Sequence, residues 1–501
     1  MKKVLLLFVL LIIIKSSYSQ NKSYKRGVGY GYHSVMDIQI FSENISWWYN
    51  WAAEPDADIR STYQNYNIDF ASMAWSANGI QNVDNWVSQD SNVKYVLGFN
   101  EPNFMDQANM TPSEAANRWP ALQTIATDNN LTIVGPAINY CGNCVSENGV
   151  TYSNPFTYLD DFFDACTDCR VDHIALHWYG GGNSIVDYIE DARKYNKPIW
   201  VTEFAAWDSS VTEIEDQKEY LAGTVNFLER DPDVYRYAWF IGRRESNQTS
   251  YPFIDLYGAD GTLTELGQLY MDIPIYDPNL KFEIPSRIET EEYYLMSGLF
   301  TQLTEDIDGF MNIGWTDNGD WAEYKIKVNE AGNYNVNVRV AGTNTGSIDF
   351  LINNELKTSV NIPNTGGWQN WTTVLTTIQL EEGEHVLRML IKDAGFNINW
   401  IEISENSLGF NDFDSIKTEI YPNPIDTDGI INVKLNMEQS GGIFLCVLND
   451  ILGKQIFSKK IKVNKSSFQI NLKEFNNIGT GIYFFNINGV NGKGKCKLII
   501  Q

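Results

Sequence analysis

The chain has 501 residues, 43% of them hydrophobic and 13% aromatic, and carries a formal net charge of −26. That length exceeds one ordinary domain and implies roughly two to four, while so acidic a protein repels phosphate backbones and excludes nucleic acid as an expected partner. The 15 Trp, 27 Tyr and 25 Phe supply ring faces that pack cores and that also stack on sugars.

The first residues, "MKKVLLLFVLLIIIKSSYSQ", place two lysines before an apolar run over residues 4–14, followed by small and polar residues. The run is too short to span a bilayer comfortably, and its flanks fit a secretory signal peptide over residues 1–19. Export is therefore expected, to the medium or the cell surface, and export makes disulfides permissible.

From residue 27 to about residue 240, short apolar runs alternate with longer amphipathic segments. The runs are "GVGYGYH", "WYNWA", "FASMAW", "YVLGFNEP", "TIVGPA", "HIALHWYG", "IWVTEF" and "YAWF". Between them, "TPSEAANRWPALQTIATDNN" opens with a capping box and a proline at its first helical position. "SIVDYIEDARKYN" and "TEIEDQKEYLAGTVNFLE" have apolar residues at helical spacing, whereas "EPDADIRSTYQNYN" makes a poorer helix. Eight such units over residues 26–275 predict a (β/α)8 TIM-type barrel, whose chemistry sits where the strands end.

The expected strand ends carry His33, Trp51, Trp75, Asn100 with Glu101, Asn139, His177 with Tyr179, Glu203 and Trp239. Glu101 closes the fourth run and Glu203 the seventh, roughly across the mouth of a barrel. Two carboxylates facing over an aromatic cleft are what glycoside hydrolysis needs: one gives a proton to a poor leaving group, the other attacks or stabilises the oxocarbenium-like centre. A single acid at a strand end is as often a solvated loop residue. Two at these positions, with an amide before the first, point to catalysis.

"LGFNEPN", "VDHIALHWYG" and "WVTEFA" resemble the Asl1-like group, glycoside hydrolase family 128, in the clan of retaining (β/α)8 glycosidases. The resemblance implies endo-β-1,3-glucanase activity without a catalytic cofactor. It carries Glu101 over as acid/base, Glu203 as nucleophile and Asn100 as the group that bonds the sugar 2-hydroxyl. Trp239 would be a subsite floor. Trp51, Trp75, His177 and Tyr179 complete the expected substrate-binding set, with Tyr179 donating to Glu203 and His177 orienting substrate.

The six cysteines include "CGNC" at 141–144 and "CTDC" at 166–169, a spacing that also suits a zinc ribbon. The helix expected between the pairs, about a dozen residues, would part them by about 18 Å. Two local disulfides, Cys141–Cys144 and Cys166–Cys169, are therefore expected. The spacing leaves the pairing of Cys446 and Cys496 open.

Residues 284–405 change character, to alternating strands with Gly and Asn turns, and predict a β-sandwich. "IETEEY", "GWTDNGDWAEY", "AGNYNVNVRVAG", "TGGWQNW" and "GFNINWIEI" resemble a family 6 carbohydrate-binding module. The resemblance implies a glycan site between Trp315, where the family often has tyrosine, and Trp368, with Asn397 as polar reader. It implies a structural calcium on Glu289, Glu291 and Glu402, although the family more often has aspartate at the last. Trp321, Trp371 and Trp400 are expected in the core.

After a linker at 406–416, the tail 417–501 carries 11 Lys against 6 Asp and Glu. "IYPNPIDTDGIINVKL" and "GTGIYFFNINGVNGKGKCKLII" resemble the C-terminal sorting domain of the type IX secretion system, itself a small β-sandwich. The whole reads as an exported, monomeric, retaining endo-β-1,3-glucanase whose partners are β-glucan and the type IX machinery. The alternatives are a hydrolase of another β-glycan (xylan, mannan or mixed-linkage glucan) and a surface glycan-binding protein without activity.

Overall fold

The structure is a computed structural model. It describes residues 22–501 apart from 32, 208, 210, 245–252, 406–416, 437–441, 451–454, 464–466, 475–477 and 490–491. The expected signal peptide and linker lie outside the described residues.

Eight parallel strands close a barrel in sequence order: β1 (Arg26–Gly29), β2 (Trp47–Tyr49), β3 (Asp69–Ala74), β4 (Tyr95–Gly98), β5 (Thr132–Ile138), β6 (His173–Trp178), β7 (Ile199–Phe204) and β8 (Val234–Phe240). Side chains alternate in and out along each strand. The barrel interior is filled by Trp47, Tyr49, Tyr95 and Trp200 set against Ala71, Ala137, Ala175 and Ala238. Large rings opposite alanines fill the narrow lumen, so the lower barrel is a packed core. At its bottom Arg236 lies under Tyr95 (4.4 Å) and Trp200 (5.3 Å) and pairs with Asp69 at 2.8 Å.

The connection after β4 is helix α1 (Pro112–Asp128), which starts with the expected capping box of Thr111 and Glu114. The connection after β2 makes only a single 3-10 turn, Tyr63–Tyr66. Helix α2 (Ile214–Arg230) follows β7 and is buried along most of its length, because a second layer covers it. No described helix is long and apolar enough to cross a membrane.

That second layer is the β-sandwich. Two sheets built from strands between Phe282 and Glu405 enclose a core of Val, Ile and aromatic side chains. The strand Phe300–Leu303 lies directly on α2. Gly223 permits this approach, since a Cβ there would stand 2.3 Å from the Thr301 carbonyl oxygen. Asn226 donates to Glu291 O and Thr301 Oγ1, both at 3.3 Å, and Arg230 donates to Tyr293 O at 2.8 Å. Phe300 and Met311 of the sandwich are buried in the same apolar cluster as the barrel helices. Barrel and sandwich thus form one compact unit, and the chain divides after Asn406. The second unit has a three-stranded and a four-stranded sheet, with Cys446 buried and Cys496 partly buried, both as free thiols.

His33 does not reach the mouth. It packs beneath Tyr30 (4.2 Å), Trp48 (5.8 Å) and Tyr257 (6.1 Å), with neither ring nitrogen bonded among the described residues. Burial, and then Arg243, hold its pKa down to about 3 from an ordinary 6.5. The folded state therefore keeps His33 neutral while the unfolded chain protonates it below 6.5. Its stabilising effect is complete above that pH and is lost as pH falls toward 3, by about 3 kcal/mol at pH 4.5. His173, held to about 4 by burial, adds to the same slope. His33→Leu should flatten the fall in melting temperature between pH 6.5 and 4 without abolishing it. A slope equal to that of the parent protein would remove His33 from the acid sensitivity.

Candidate active site

The apolar strand β4 carries the chain to the mouth, where Phe99 and Glu101 both take positive φ, 42° and 43°. Non-glycine residues pay strain in that region and hold it only when neighbours fix the backbone. Here the fixing bonds are Phe99 N–H to Ala74 O (2.9 Å), Asn100 N–H to Trp75 O (2.8 Å) and Glu101 N–H to Ala137 O (2.9 Å). The ends of β3 and β5 thus turn the Glu101 carboxyl over the barrel axis. Glu101 Oε1 lies 2.9 Å from His177 Nδ1 and accepts from Asn139 Nδ2 at 3.2 Å.

Glu203 comes from the end of β7, paired in register with His177 of β6. Its Oε1 accepts from the Tyr49 hydroxyl (2.9 Å) and Trp51 Nε1 (2.7 Å), and its Oε2 from the Tyr179 hydroxyl. Burial, then the Glu203 charge, hold the Tyr49 and Tyr179 hydroxyls well above the usual phenol range, so both are neutral donors. His177 Nδ1 stands 3.4 Å from Glu203 Oε2, between the two acids. Burial opposes its charge, but Glu203 and then Glu101 outweigh burial and raise its pKa. Its Nε2 is buried with no partner among the described residues.

One donor atom from each of Glu101, His177 and Glu203 lies within 4.8 Å of the others, a spacing that a divalent cation could also use. The surroundings argue against a cation. Both Glu203 oxygens already face N–H or O–H donors from Tyr49, Trp51 and Tyr179, which is how a protein holds a bare carboxylate.

The carboxylates lie in an open cleft of about 810 Å³ lined by Trp51, Trp75, Asn100, Tyr140, Trp178, Tyr179, Trp207 and Phe240. Of the expected residues, Trp51, Trp75, Asn100 and Tyr179 reach the cleft, and His177 lies beneath it. Trp239 does not. It is 0% exposed, donates to Ile254 O at 2.8 Å and packs on Phe204 at 5.1 Å. Ala238 faces the lumen, so its neighbour Trp239 points outward, and the next residue, Phe240, takes the place at the mouth. Tyr49, Tyr140, Trp178, Trp207 and Phe240 escaped the sequence reading. Tyr49 was within reach of it, since it stands two before Trp51 and so shares its face.

In the sandwich, Trp315 and Trp368 are 42% and 48% exposed on their loops. Trp315 has φ 48° and leans edge-on against Phe300 at 5.5 Å. Asn397 Nδ2 donates to Trp368 O at 2.9 Å, which fixes the amide beside that indole. Trp321 and Trp400 are not core. Each is partly exposed on an outer sheet face, capped by Arg388 (4.3 Å) and Arg287 (4.5 Å) respectively. Trp371 is likewise partly exposed, donating to Gln369.

The expected calcium ligands fit only in part. Glu291 is buried with one oxygen unpartnered, and burial pushes its pKa up to about 8, an environment that a cation would relieve. Glu289, which adds to that upward shift, is drawn to Arg287 at 2.7 Å. Glu402 is turned to Asn337 at 3.2 Å and does not join them. The four barrel cysteines pair as Cys141–Cys144 and Cys166–Cys169.

Residues 27–270 match the family profile "Glycosyl hydrolase catalytic core", 289–405 "Carbohydrate binding module (family 6)" and 419–501 "Secretion system C-terminal sorting domain". The chain is 28% identical over 236 residues to alkali-sensitive linkage protein 1 of Schizosaccharomyces pombe, covering 46% of this chain and 41% of that one. It thus spans about two fifths of the length of that curated relative. The sequence is also 36% identical to a family-128, subgroup II endo-β-1,3-glucanase from Sorangium cellulosum, over 50% of this chain and 100% of that chain, with a TM-score of 0.46. The sandwich is 32% identical to the C-terminal family 6 module of a marine laminarinase from Zobellia galactanivorans, over 24% of this chain and 98% of that one, with a TM-score of 0.23.

Proposed function

The chain belongs to glycoside hydrolase family 128, and from that premise we propose that it is a secreted, retaining endo-β-1,3-glucanase. The observation that carries the mechanism is the short gap between the two carboxylates. Retaining enzymes hold theirs about 5 to 5.5 Å apart and inverting ones about 6.5 to 9.5 Å apart. One oxygen of each carboxylate lies within 4.8 Å of an oxygen of the other, which supports the retaining arrangement.

In the first step Glu203 attacks the anomeric carbon. The C1–O bond breaks, its electron pair goes to the departing oxygen, and that oxygen takes the proton of Glu101. In the second step Glu101, now a carboxylate, takes a proton from water, which attacks C1 and releases Glu203. Tyr49, Trp51 and Tyr179 aim the nucleophile and hold its charge. Asn100, on the same cleft wall, is the group for the sugar 2-hydroxyl. The open cleft suits attack within a chain.

The sandwich targets the enzyme to polysaccharide through Trp315, Trp368 and Asn397, and the sorting domain engages the type IX machinery. A structural calcium would rest on Glu289 and Glu291, without Glu402.

Incubation with laminarin, curdlan, xylan and mannan, with product sizing, tests the substrate. Proton NMR of the first product tests the configuration. Laminarin should yield a ladder of oligosaccharides born as β-anomers. An α-anomer as first product would refute retention, and cleavage of xylan or mannan alone would refute the substrate. Trp368→Ala should weaken glycan binding by about tenfold or more, the value of one large apolar face, and slow attack on insoluble glucan. Affinity electrophoresis in laminarin gels reads this directly, and parental retardation would discard the site.

A further inference from the structure

The two sides of the cleft differ. Beside Glu203 the rings are packed into one another: Trp51 meets Phe240 at 5.6 Å, Phe240 meets Trp207 at 5.2 Å, and Trp207 stacks on Tyr179 at 3.8 Å. Beside Glu101 the cleft is lined by Phe104, Trp178 and Tyr140, and of these three Tyr140 is the exposed ring, at 47%, the other two being half-buried. Tyr140 leans on Trp178 (6.1 Å) and Tyr188 (5.7 Å), which lie 4.6 Å from one another.

The loop that carries Tyr140 is tied down at many points. Asn139 donates to Glu101 through its side-chain nitrogen and accepts the Tyr140 backbone N–H at 2.8 Å through its side-chain oxygen. Its backbone oxygen accepts from Asn103 Nδ2 at 2.8 Å. The Cys141–Cys144 crosslink follows at once, and Cys141 N–H donates to Ser153 O at 3.0 Å. Met105 N–H to Asn143 O and Val145 N–H to Asn103 O, both 2.9 Å, fasten the far side to the segment that follows Glu101. A large ring left open on a loop this constrained is not exposed through slackness. Its face is presented.

We propose that Tyr140 is the stacking platform for the sugar unit on the leaving side of the scissile bond. The inference rests on the hydrolase reading above. The proton of Glu101 goes to the glycosidic oxygen, so the ring that departs with that oxygen lies on the Glu101 side, while the anomeric carbon lies on the Glu203 side. The flat C–H face of a β-linked glucosyl unit is the chemical match for a phenol face. Through Asn139, the same short segment sets both the proton donor and the platform for the ring it releases.

The test compares two substrates of the full chain: laminaritetraose, whose leaving group is a sugar, and β-laminaribiosyl fluoride, whose leaving group is one atom. In Tyr140→Ala the ratio of kcat/KM for the tetraose to that for the fluoride should fall about tenfold or more relative to wild type. In Tyr140→Phe, which keeps the face and loses the hydroxyl, the ratio should stay within about twofold of wild type. Melting curves check that both variants fold. An unchanged ratio in Tyr140→Ala overturns the platform, and so does a Tyr140→Phe variant as impaired as Tyr140→Ala. Wild-type protein that consumes the fluoride but cleaves no β-1,3-oligosaccharide overturns the substrate reading instead, and the platform falls with it.

Discussion

Glu203→Gln is expected to lower kcat by about four orders of magnitude or more while glucan binding survives, because the amide has the carboxylate's shape but cannot attack carbon. The environment of Glu203 sharpens the expectation. Its two oxygens accept from Tyr49, Trp51 and Tyr179. A glutamine there keeps one acceptor and turns an NH2 toward at least one of these donors. That mismatch should cost about 1–3 kcal/mol of stability, well short of unfolding a chain this size. Calorimetric binding of laminari-oligosaccharides should remain measurable when turnover has gone. Near-parental turnover would take Glu203 out of the mechanism.

Glu101→Gln is expected to separate the two half-reactions. Hydrolysis of laminarin should drop by about three orders of magnitude, since a sugar alkoxide cannot leave unprotonated. β-Laminaribiosyl fluoride needs little help to leave, so the first step should survive and fluoride should appear in a burst. The second step should then stall, because in the proposed mechanism the same side chain is the base that activates water. An ion-selective electrode reads the burst, and mass spectrometry should find the glycosyl adduct on Glu203. Equal losses on both substrates, without a burst, would mean that Glu101 is not the proton donor.

The barrel and its carboxylates were legible because they sit where pattern is strongest. Glu101 and Glu203 each end a continuous apolar run, and such runs are buried strands whatever surrounds them. Trp239 falls outside the cleft because a place near a strand end does not by itself say which face a side chain takes. Ala238 faces inward, so Trp239 must face the helices. The same parity rule would have found Tyr49 from Trp51. Tyr140 and Trp207 lie beyond the strands, on loops shaped by a disulfide and by backbone bonds to neighbouring segments, and no local period encodes that. Glu402 was assigned from a resemblance alone, and its partner Asn337 comes from a neighbouring strand far away in sequence.

The fit between α2 and the sandwich has a bearing on how such a chain could have been assembled. Modular hydrolases are commonly pictured as beads that recombination can trade one for another. Here the bead and its string are not separable at the sequence boundary. Gly223 leaves a gap sized for the Thr301 carbonyl, Asn226 and Arg230 lose their acceptors without residues 291–301, and Phe300 and Met311 complete an apolar cluster that the barrel begins. A crossover near residue 280 that brought in a foreign module would deprive Asn226 and Arg230 of the acceptors that the sandwich gives them. Barrel and sandwich therefore pack as one compact unit in this chain, and exchanging the module would require these contacts to be rebuilt.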